Sequence, residues 1–444
     1  MKKIIVSVAV LVVVCIVAMP YVTGSIAEKE TRLIVEKINA RPLDYGVTEI
    51  TSYERGFRSS QVVYEYQLPP SIALTLGFNE AIIYQCNYTH GLTGIDYACD
   101  FLANKAYQDF INDSLDGENP LEITGAISAF GGFDQRVATK PINRTLEDGS
   151  ILKLSASELV VSSDASFASF KSIANIGPIE IVEDGKTMVV GQSELRSTAA
   201  LSELGLFVGE YDIVFDAIAI KSDESDLDIA GLRITGSSTE RGDQMDSVMA
   251  LEFDRFAVAG VKPTIVEAGK ISADFLGVNS QALADYLKFA ENLQTDIMAN
   301  AEYEENADVE LDANQFAAML PIVEEMLDKE LDLALSMKGN IDGNPNSVNF
   351  SAKLLEKTSF TQLSAIMFNP ESVLKNMDIK IGASLNQNLI QSAPAANAMI
   401  SKSPLFISEK EVYRTEIKLG SEVEVNGKEL SFQELQAMVL SGVM

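Results

Sequence analysis

The chain opens with Met1-Lys2-Lys3 and then runs from Ile4 to Val22 without a charge. As a helix at ~1.5 Å per residue this run would measure about 28 Å, close to a hydrocarbon core of about 30 Å. The lysines ahead of it set the N-terminus on the cytoplasmic side and everything after Val22 on the other. No later segment is apolar enough to span. The expectation is a single-pass anchor over residues 1–23, contact with the membrane through Ile4–Val22, and the bulk of the chain outside the cytoplasm. The competing reading is a cleaved signal peptide, for which Ser25-Ile26-Ala27 supplies the small residues. Cys15, preceded by Val14 inside the run, reads as a buried small hydrophobe rather than a lipid attachment site.

Beyond the run, residues 26–39 mix Ile26, Leu33, Ile34 and Ile38 with alternating charges, the pattern of a short helix that Pro42 ends. From Thr48 the period becomes two. Val63, Glu65 and Gln67 alternate with Tyr64 and Tyr66. Residues 81–101 read as a hairpin around His90 to Gly94, and residues 104–149 as irregular. Residues 179–190 form the clearest hairpin, turning at Asp184-Gly185. Strand patterns recur to about residue 277. Residues 279–300 and 312–329 then carry apolar residues at helical spacing, with Pro321 kinking the second stretch or marking its start. Leu331, Leu333, Leu335 and Met337 return to strand alternation. The tail reads as a hairpin and a helix capped by Ser431.

The fold class these patterns imply is α+β: a mostly antiparallel, extended meandering sheet, several long helices inserted in the C-terminal half, and one N-terminal transmembrane helix. The boundaries are 1–23 for the anchor, 24–47 for a juxtamembrane helix and linker, 48–277 for a β-rich region, and 278–444 for an α+β region continuing the sheet.

Sixty-four acidic residues face 34 basic ones, a net charge of −30. Such a charge repels phosphate backbones, so no nucleic-acid partner is expected. There is one His and no Trp. Ser-His-Asp, HExxH and multi-His metal sites are thereby removed unless His90 carries them. His90, ahead of Gly91, reads as a solvent-exposed or turn-capping residue. Cys86 and Cys99 sit on the two arms of the first hairpin, mirrored about Leu92 and Thr93. A cross-strand disulfide, two free thiols, and a metal site completed by His90 are the alternatives, in that order. The acidic pairs Asp226 and Asp228, Asp308 and Glu310, and Glu324 and Glu325 could serve a glycoside hydrolase. In so acidic a chain such pairs arise by chance. No catalytic residue, metal ligand, phosphate-binding loop or cofactor site is assigned.

Three short segments carry a family resemblance. They are Tyr53-Glu54-Arg55-Gly56-Phe57-Arg58-Ser59-Ser60, Thr89-His90-Gly91, and Val425-Asn426-Gly427-Lys428 ahead of a short helix. Together with the N-terminal run they resemble the YdgA-type family of bacterial envelope proteins, over nearly the whole chain. The family more often has an aromatic at the position of Arg58 and Pro at that of Leu92. The resemblance implies a protein of uncharacterised function held in the bacterial inner membrane, with its bulk in the periplasm. Tyr53, Arg55, Gly56, Ser59, Ser60, His90 and Gly91 are its motif residues, and none carries a known catalytic role.

The functional expectation is binding rather than catalysis: a module for lipid or another apolar envelope ligand. The alternative is an envelope scaffold that assembles with other proteins or with a second copy of itself as a homodimer; a carboxylate hydrolase ranks below both. Tyr286, Phe289, Leu293, Phe316, Met319 and Met326, on the two helical stretches, are the candidate apolar binding face.

Overall fold

The computed structural model describes residues 2–39, 46–68, 81–102, 111–112, 117, 119–145, 149–164, 168–183, 185–222, 226–259, 264–301, 313–327, 330–359, 362, 371, 374–392 and 394–443. In chain order, helix α1 (Lys2–Asn39) precedes β1 (Val47–Arg55), β2 (Ser59–Gln67), β3 (Ile82–His90), β4 (Gly94–Leu102), β5 (Leu121–Ser128) and β6 (Phe133–Thr139). Then come β7 (Ile142–Thr145), β8 (Ile151–Leu154), β9 (Ser157–Ser163), β10 (Ser169–Ile176), β11 (Ile179–Glu183), β12 (Lys186–Val190) and β13 (Ser193–Leu201). Four long strands follow: β14 (Phe207–Lys221), β15 (Asp226–Arg241), β16 (Gln244–Ala259) and β17 (Thr264–Asn279). Helices α2 (Ser280–Ala301) and α3 (Ala313–Met326) precede β18 (Asp332–Ile341), β19 (Asn344–Leu354) and β20 (Met377–Asn386). The chain ends with α4 (Gln387–Ser392), α5 (Pro394–Ile400), β21 (Ile407–Glu409), β22 (Val412–Leu419), β23 (Val423–Val425), β24 (Lys428–Leu430) and α6 (Phe432–Val443).

The chain divides into two compact units. The first comprises Met1–Glu183, Glu194–Leu201 and Glu291–Ala307; the second comprises Asp184–Ser193, Ser202–Ala290 and Asp308–Met444.

In the first unit, antiparallel pairing carries the sheet through β1, β2, β3, β4, β5, β6, β9 and β10. β13 adds to β10, and β7, β8 and β11 pair among themselves. One face of β2 to β5 is apolar, and α1 lies on it. Ala27 of α1 is buried with Val62, Tyr64, Cys86, Tyr88, Ile95, Cys99 and Ile127, while Ile34 and Val35 pack against them. The helix runs the length of the strands: Thr23 meets Gly91 at one end, and Asn39 pairs with the backbone of Thr48 at the other.

In the second unit the strands form an antiparallel ladder from β12 through β14 to β20 and on to β22. β21 and β23 pair with opposite ends of β22, and β24 with β23. Helix α2 packs at one end, where Ala284, Leu206 and Met245 are buried with Leu283 and Leu287. Helix α6 packs at the other, where Leu435 meets Ile417 and Val425.

Three expectations need correction. The α+β class with several long helices in the C-terminal half fails, because the chain is mostly antiparallel sheet. Among the described residues after 277 only α2 exceeds 14 residues, and period-two alternation soon takes the chain back into β18, β19 and β20. The N-terminal transmembrane helix of that class is not retained either. Among the described residues no helix is long and apolar enough to cross a membrane, a statement without bearing on membrane-crossing strands. The side chains before Met19 lie outside the described residues. Finally, the stretch expected to be irregular contains β5, β6 and β7. Its glycines act as sheet devices rather than breakers. Tyr97 lies over Gly125, where a Cβ would sit 2.4 Å from the ring, and Gly131 and Gly132 take φ of 87° and 88° in the turn.

Candidate functional site: a helix cradle and an open apolar sheet

The motif residues come together in the first unit. Gly56, whose N–H donates to the Ser59 carbonyl at 2.8 Å, turns β1 into β2, and Gly91, donating to the Gly94 carbonyl at 2.7 Å, turns β3 into β4. Register sets Ser60 opposite Tyr88 and Ser59 opposite Thr89, bringing both segments under α1. His90 is 5 % exposed, against the expectation of a solvent-exposed or turn-capping residue. Its Nε2 lies 2.8 Å from Ser60 Oγ, and its Nδ1 has no partner among the described residues. Gly24 of α1 packs on the ring, where a Cβ would approach to 2.3 Å. Thr23 Oγ1 donates to the carbonyls of Gly91 at 2.9 Å and Pro20 at 3.0 Å. Arg55 pairs with Glu28 at 3.1 Å and lies 5.2 Å from the Tyr21 ring centroid. Arg32, paired with Glu28 at 3.2 Å, sits over Tyr53. The motif thus reads as a cradle that holds one helix in one register.

Beneath the helix lies an aromatic cluster. The Tyr64 and Tyr88 hydroxyls are 2.5 Å apart, Tyr84 stacks on Tyr64, and Tyr97 tilts against Tyr88. Burial raises the pKa of every one, Tyr53 to about 12 despite the Ser60 hydroxyl beside it. Neutral, buried phenols make a dry packing layer and not a proton relay at ordinary pH. Cys86 and Cys99 are register partners in the same layer, joined as a disulfide with Cα atoms 3.9 Å apart.

The second unit offers a different surface. Its register lines up residues of one face in rows that cross the strands. Tyr211, Gly236, Met249, Ala273, Leu335, Phe350, Ile381 and Ile417 are successive partners from β14 to β22. The adjoining row runs Ile213, Ile234, Leu251, Ile271, Met337, Val348, Ala383 and Thr415. Neither row holds a charge. At ~4.8 Å between strands each is roughly 34 Å wide. The opposite face carries the ion pairs Arg233–Asp212 and Lys270–Glu252. Over β16 to β19 the apolar face is open: Met249, Ile271, Phe275 and Val348 are exposed, Leu335 is 51 % exposed and Met337 55 %. Two glycines in this face are roofed by aromatic partners, Gly236 by Tyr211 and Gly269 by Phe253.

The expected apolar residues of the helical stretches are distributed otherwise. Tyr286 is exposed; Phe289, Leu293, Met319 and Met326 are partly buried; the Phe316 side chain lies outside the described residues. On α2 it is Leu283, Ala284 and Leu287 that face core. Of the acidic pairs, Asp228 is bound to Arg255 at 2.7 Å, Asp226 accepts from the Ser222 N–H, and Glu325 meets Lys357 at 3.2 Å. Asp308 and Glu310 lie outside the described residues. No group of three or more metal-ligating side chains occurs among the described residues. The open sheet face was missed because alternation was read strand by strand. Leu333-Leu335-Met337, Ile271-Ala273-Phe275 and Met249-Leu251-Phe253 each signal it, but only register shows that they adjoin.

Neither the curated proteins nor the solved structures contain a match to the chain. The model of a bacterial family of unknown function, DUF945, matches residues 1–433. The chain, with a motif-built cradle around its first helix, belongs to that family.

Proposed function

We propose that this is an envelope protein of the YdgA type, in contact with the inner membrane through Ile4–Val22 and working in the periplasm, where the sheet face of its second unit binds acyl chains. The observation that carries the reading is the pair of uncharged rows across β14 to β22, open over β16 to β19. Contiguous exposed apolar surface of this kind marks a binding site in a soluble domain. Its chemistry suits hydrocarbon better than protein. Protein interfaces are enriched in aromatic residues, Met and Arg, whereas these rows are mainly aliphatic, with Gly236, Thr415, two Met, one Phe, one Tyr, and no Arg or Trp. Met249 and Met337 adapt to chains of differing shape. The Cys86–Cys99 bond supports a compartment outside the cytoplasm, since disulfides persist where thiols are not kept reduced.

The test uses the full chain and a photoactivatable phospholipid with its reactive group on the acyl chain. Cross-links should map to peptides from β16 to β19. Met337→Glu should abolish them and leave the melting temperature unchanged, because the side chain is already in water. Cross-links confined to the N-terminal run would overturn the reading. So would a dimer that Met337→Glu dissociates, which would make the face an interface between copies.

A further inference from the structure

The first unit carries a second exposed apolar feature, at one end of its sheet. The turns β1–β2, β3–β4 and β5–β6 lie side by side there. The His90 N–H donates to the Arg58 carbonyl at 2.8 Å, and the Ala129 N–H to the Thr93 carbonyl at 2.8 Å, tying the three tips into one edge. Each tip presents one large apolar side chain to solvent: Phe57, Leu92 and Phe130, the last 85 % exposed. Tyr21 and Val22 of α1 are exposed beside them, with Tyr21 stacked on Phe57 at 6.3 Å.

The tips carry no negative charge. Residues 55–59, 90–94 and 128–132 contain no carboxylate, in a chain with 64 of them, and they include Arg55 and Arg58. Turns such as β15–β16 and β18–β19 hold Asp243 and Asp342. The patch ends at the β9–β10 connection, which begins with Asp164. Direction matters equally. Helix α1 runs from this end, at Thr23, to the far end, at Asn39. The part of α1 that precedes Thr23 therefore lies toward the tips and not toward the far end.

We propose that the three hairpin tips form a bilayer-contacting surface, seated in the headgroup region of an anionic phospholipid membrane. Phe57, Leu92 and Phe130 enter the boundary with the acyl chains, Tyr21 lies at the interface, and Arg58 faces lipid phosphate. Aromatic side chains favour this depth, and a basic residue gains from the negative surface potential. A carboxylate-free edge avoids the repulsion that the rest of so acidic a chain would meet. The cradle then has a purpose: by fixing α1 against Gly91 and His90 it holds the tips level with Tyr21 to Gly24. This inference rests on the envelope reading only in supplying a bilayer, and makes no use of the open sheet face of the second unit.

The chain has no Trp, so single tryptophans report position without background. Full-length Phe57→Trp, Leu92→Trp and Phe130→Trp variants would be reconstituted into phosphatidylglycerol–phosphatidylethanolamine vesicles, with and without bromine on the acyl chains. Ile176→Trp is the control: it follows Asn175, whose partner Glu158 also pairs with Ala138, at the opposite end of the same sheet. The three tip variants should show blue-shifted emission that brominated lipid quenches, and the control neither. Adding Arg58→Glu to Phe57→Trp should weaken the quenching. Tip emission no more quenched than that of the control overturns the proposal, as does failure of the chain to associate with the vesicles. Loss of acyl cross-linking on the second unit leaves this result unaffected, so the two readings fail separately.

Discussion

In the first unit a helix lies along the apolar face of the sheet, and in the second the equivalent face is left open over its central strands. Both faces arise from the same alternation of side chains. The difference lies in what the chain supplies to cover them. Before β1 comes α1, with Thr23, Gly24, Ala27 and Thr31 small enough to let its backbone close on the strands. In the second unit α2 and α6 pack at the ends of the ladder, around Met245 and Ile417, and the middle rows keep Leu335 and Met337 in water. The contrast extends to specificity. The covered face is built from a Tyr hydroxyl pair, a disulfide and a His–Ser contact, which fix a single arrangement. The open face is built from interchangeable aliphatic residues, which suit a variable ligand.

The strongest challenge to this comparison is a charge placed on each face. Val62 is fully buried in the first unit. Val62→Asp should cost on the order of 4 kcal/mol, enough to unfold that unit, because the carboxylate would be buried without a partner. Leu335→Asp, on the open face, should stay within about 0.5 kcal/mol of wild type. Hydrogen exchange resolved by peptide reads each unit separately. If Leu335→Asp destabilises as severely as Val62→Asp, the second face is covered after all and the contrast collapses.

Reduction of the disulfide is the next largest test, and it concerns only the covered face. The thirteen-residue separation of Cys86 and Cys99 implies a loss of about 3 kcal/mol on the loop-entropy account. Non-reducing peptide mapping of protein from cells should link the two peptides. Reductant should then raise exchange across β2 to β5 and leave β14 to β20 unchanged. Cysteines that alkylate without reductant would remove the covalent part of the contrast.

How far the sequence revealed this arrangement depends on whether the signal was local. The mirrored placement of Cys86 and Cys99 about Leu92 and Thr93 was local, and so were the hairpin of the tail and the Ser431 cap. Asn426 and Gly427 take φ of 53° and 78°, as a tight two-residue hairpin requires. The strands from Leu121 to Thr145 were hidden because Gly125 is useful only under the Tyr97 ring of a neighbouring strand. His90 looked like a turn residue because its next neighbour is Gly91, and its burial comes from Gly24, far away in the chain. The open face needed register, which no single strand carries. Helical spacing in residues 279–300 was visible, but the core-facing side, Leu283, Ala284 and Leu287, depends on where α2 meets Leu206 and Met245.

The smallest expected effect sharpens the comparison from the second unit's side, because it touches a packed end of the ladder and leaves the open rows alone. The Ser431 hydroxyl accepts the Glu434 N–H at 3.2 Å, and the Glu434 carboxylate accepts the Ser431 N–H at 2.7 Å, a reciprocal cap for α6. That cap positions Leu435 against Ile417 and Val425. Ser431→Ala should cost about 1 kcal/mol. Exchange should rise in α6 and β22 to β24 but not in β16 to β19. The effect should also depend on pH. The hydrogen bonds from Ser431 hold the Glu434 carboxyl below its ordinary range. A depressed folded-state pKa gives stability that is present above the unfolded value and lost as pH falls through the folded one. In wild type the protection of α6 should therefore decline on acidification below the usual glutamate range. In Ser431→Ala the decline should be somewhat shallower, because the hydroxyl's bond to the carboxylate is lost while the backbone N–H bond, the larger cause of the depression, remains. Equal acid sensitivity in the two proteins would show that the cap is not what holds this end together.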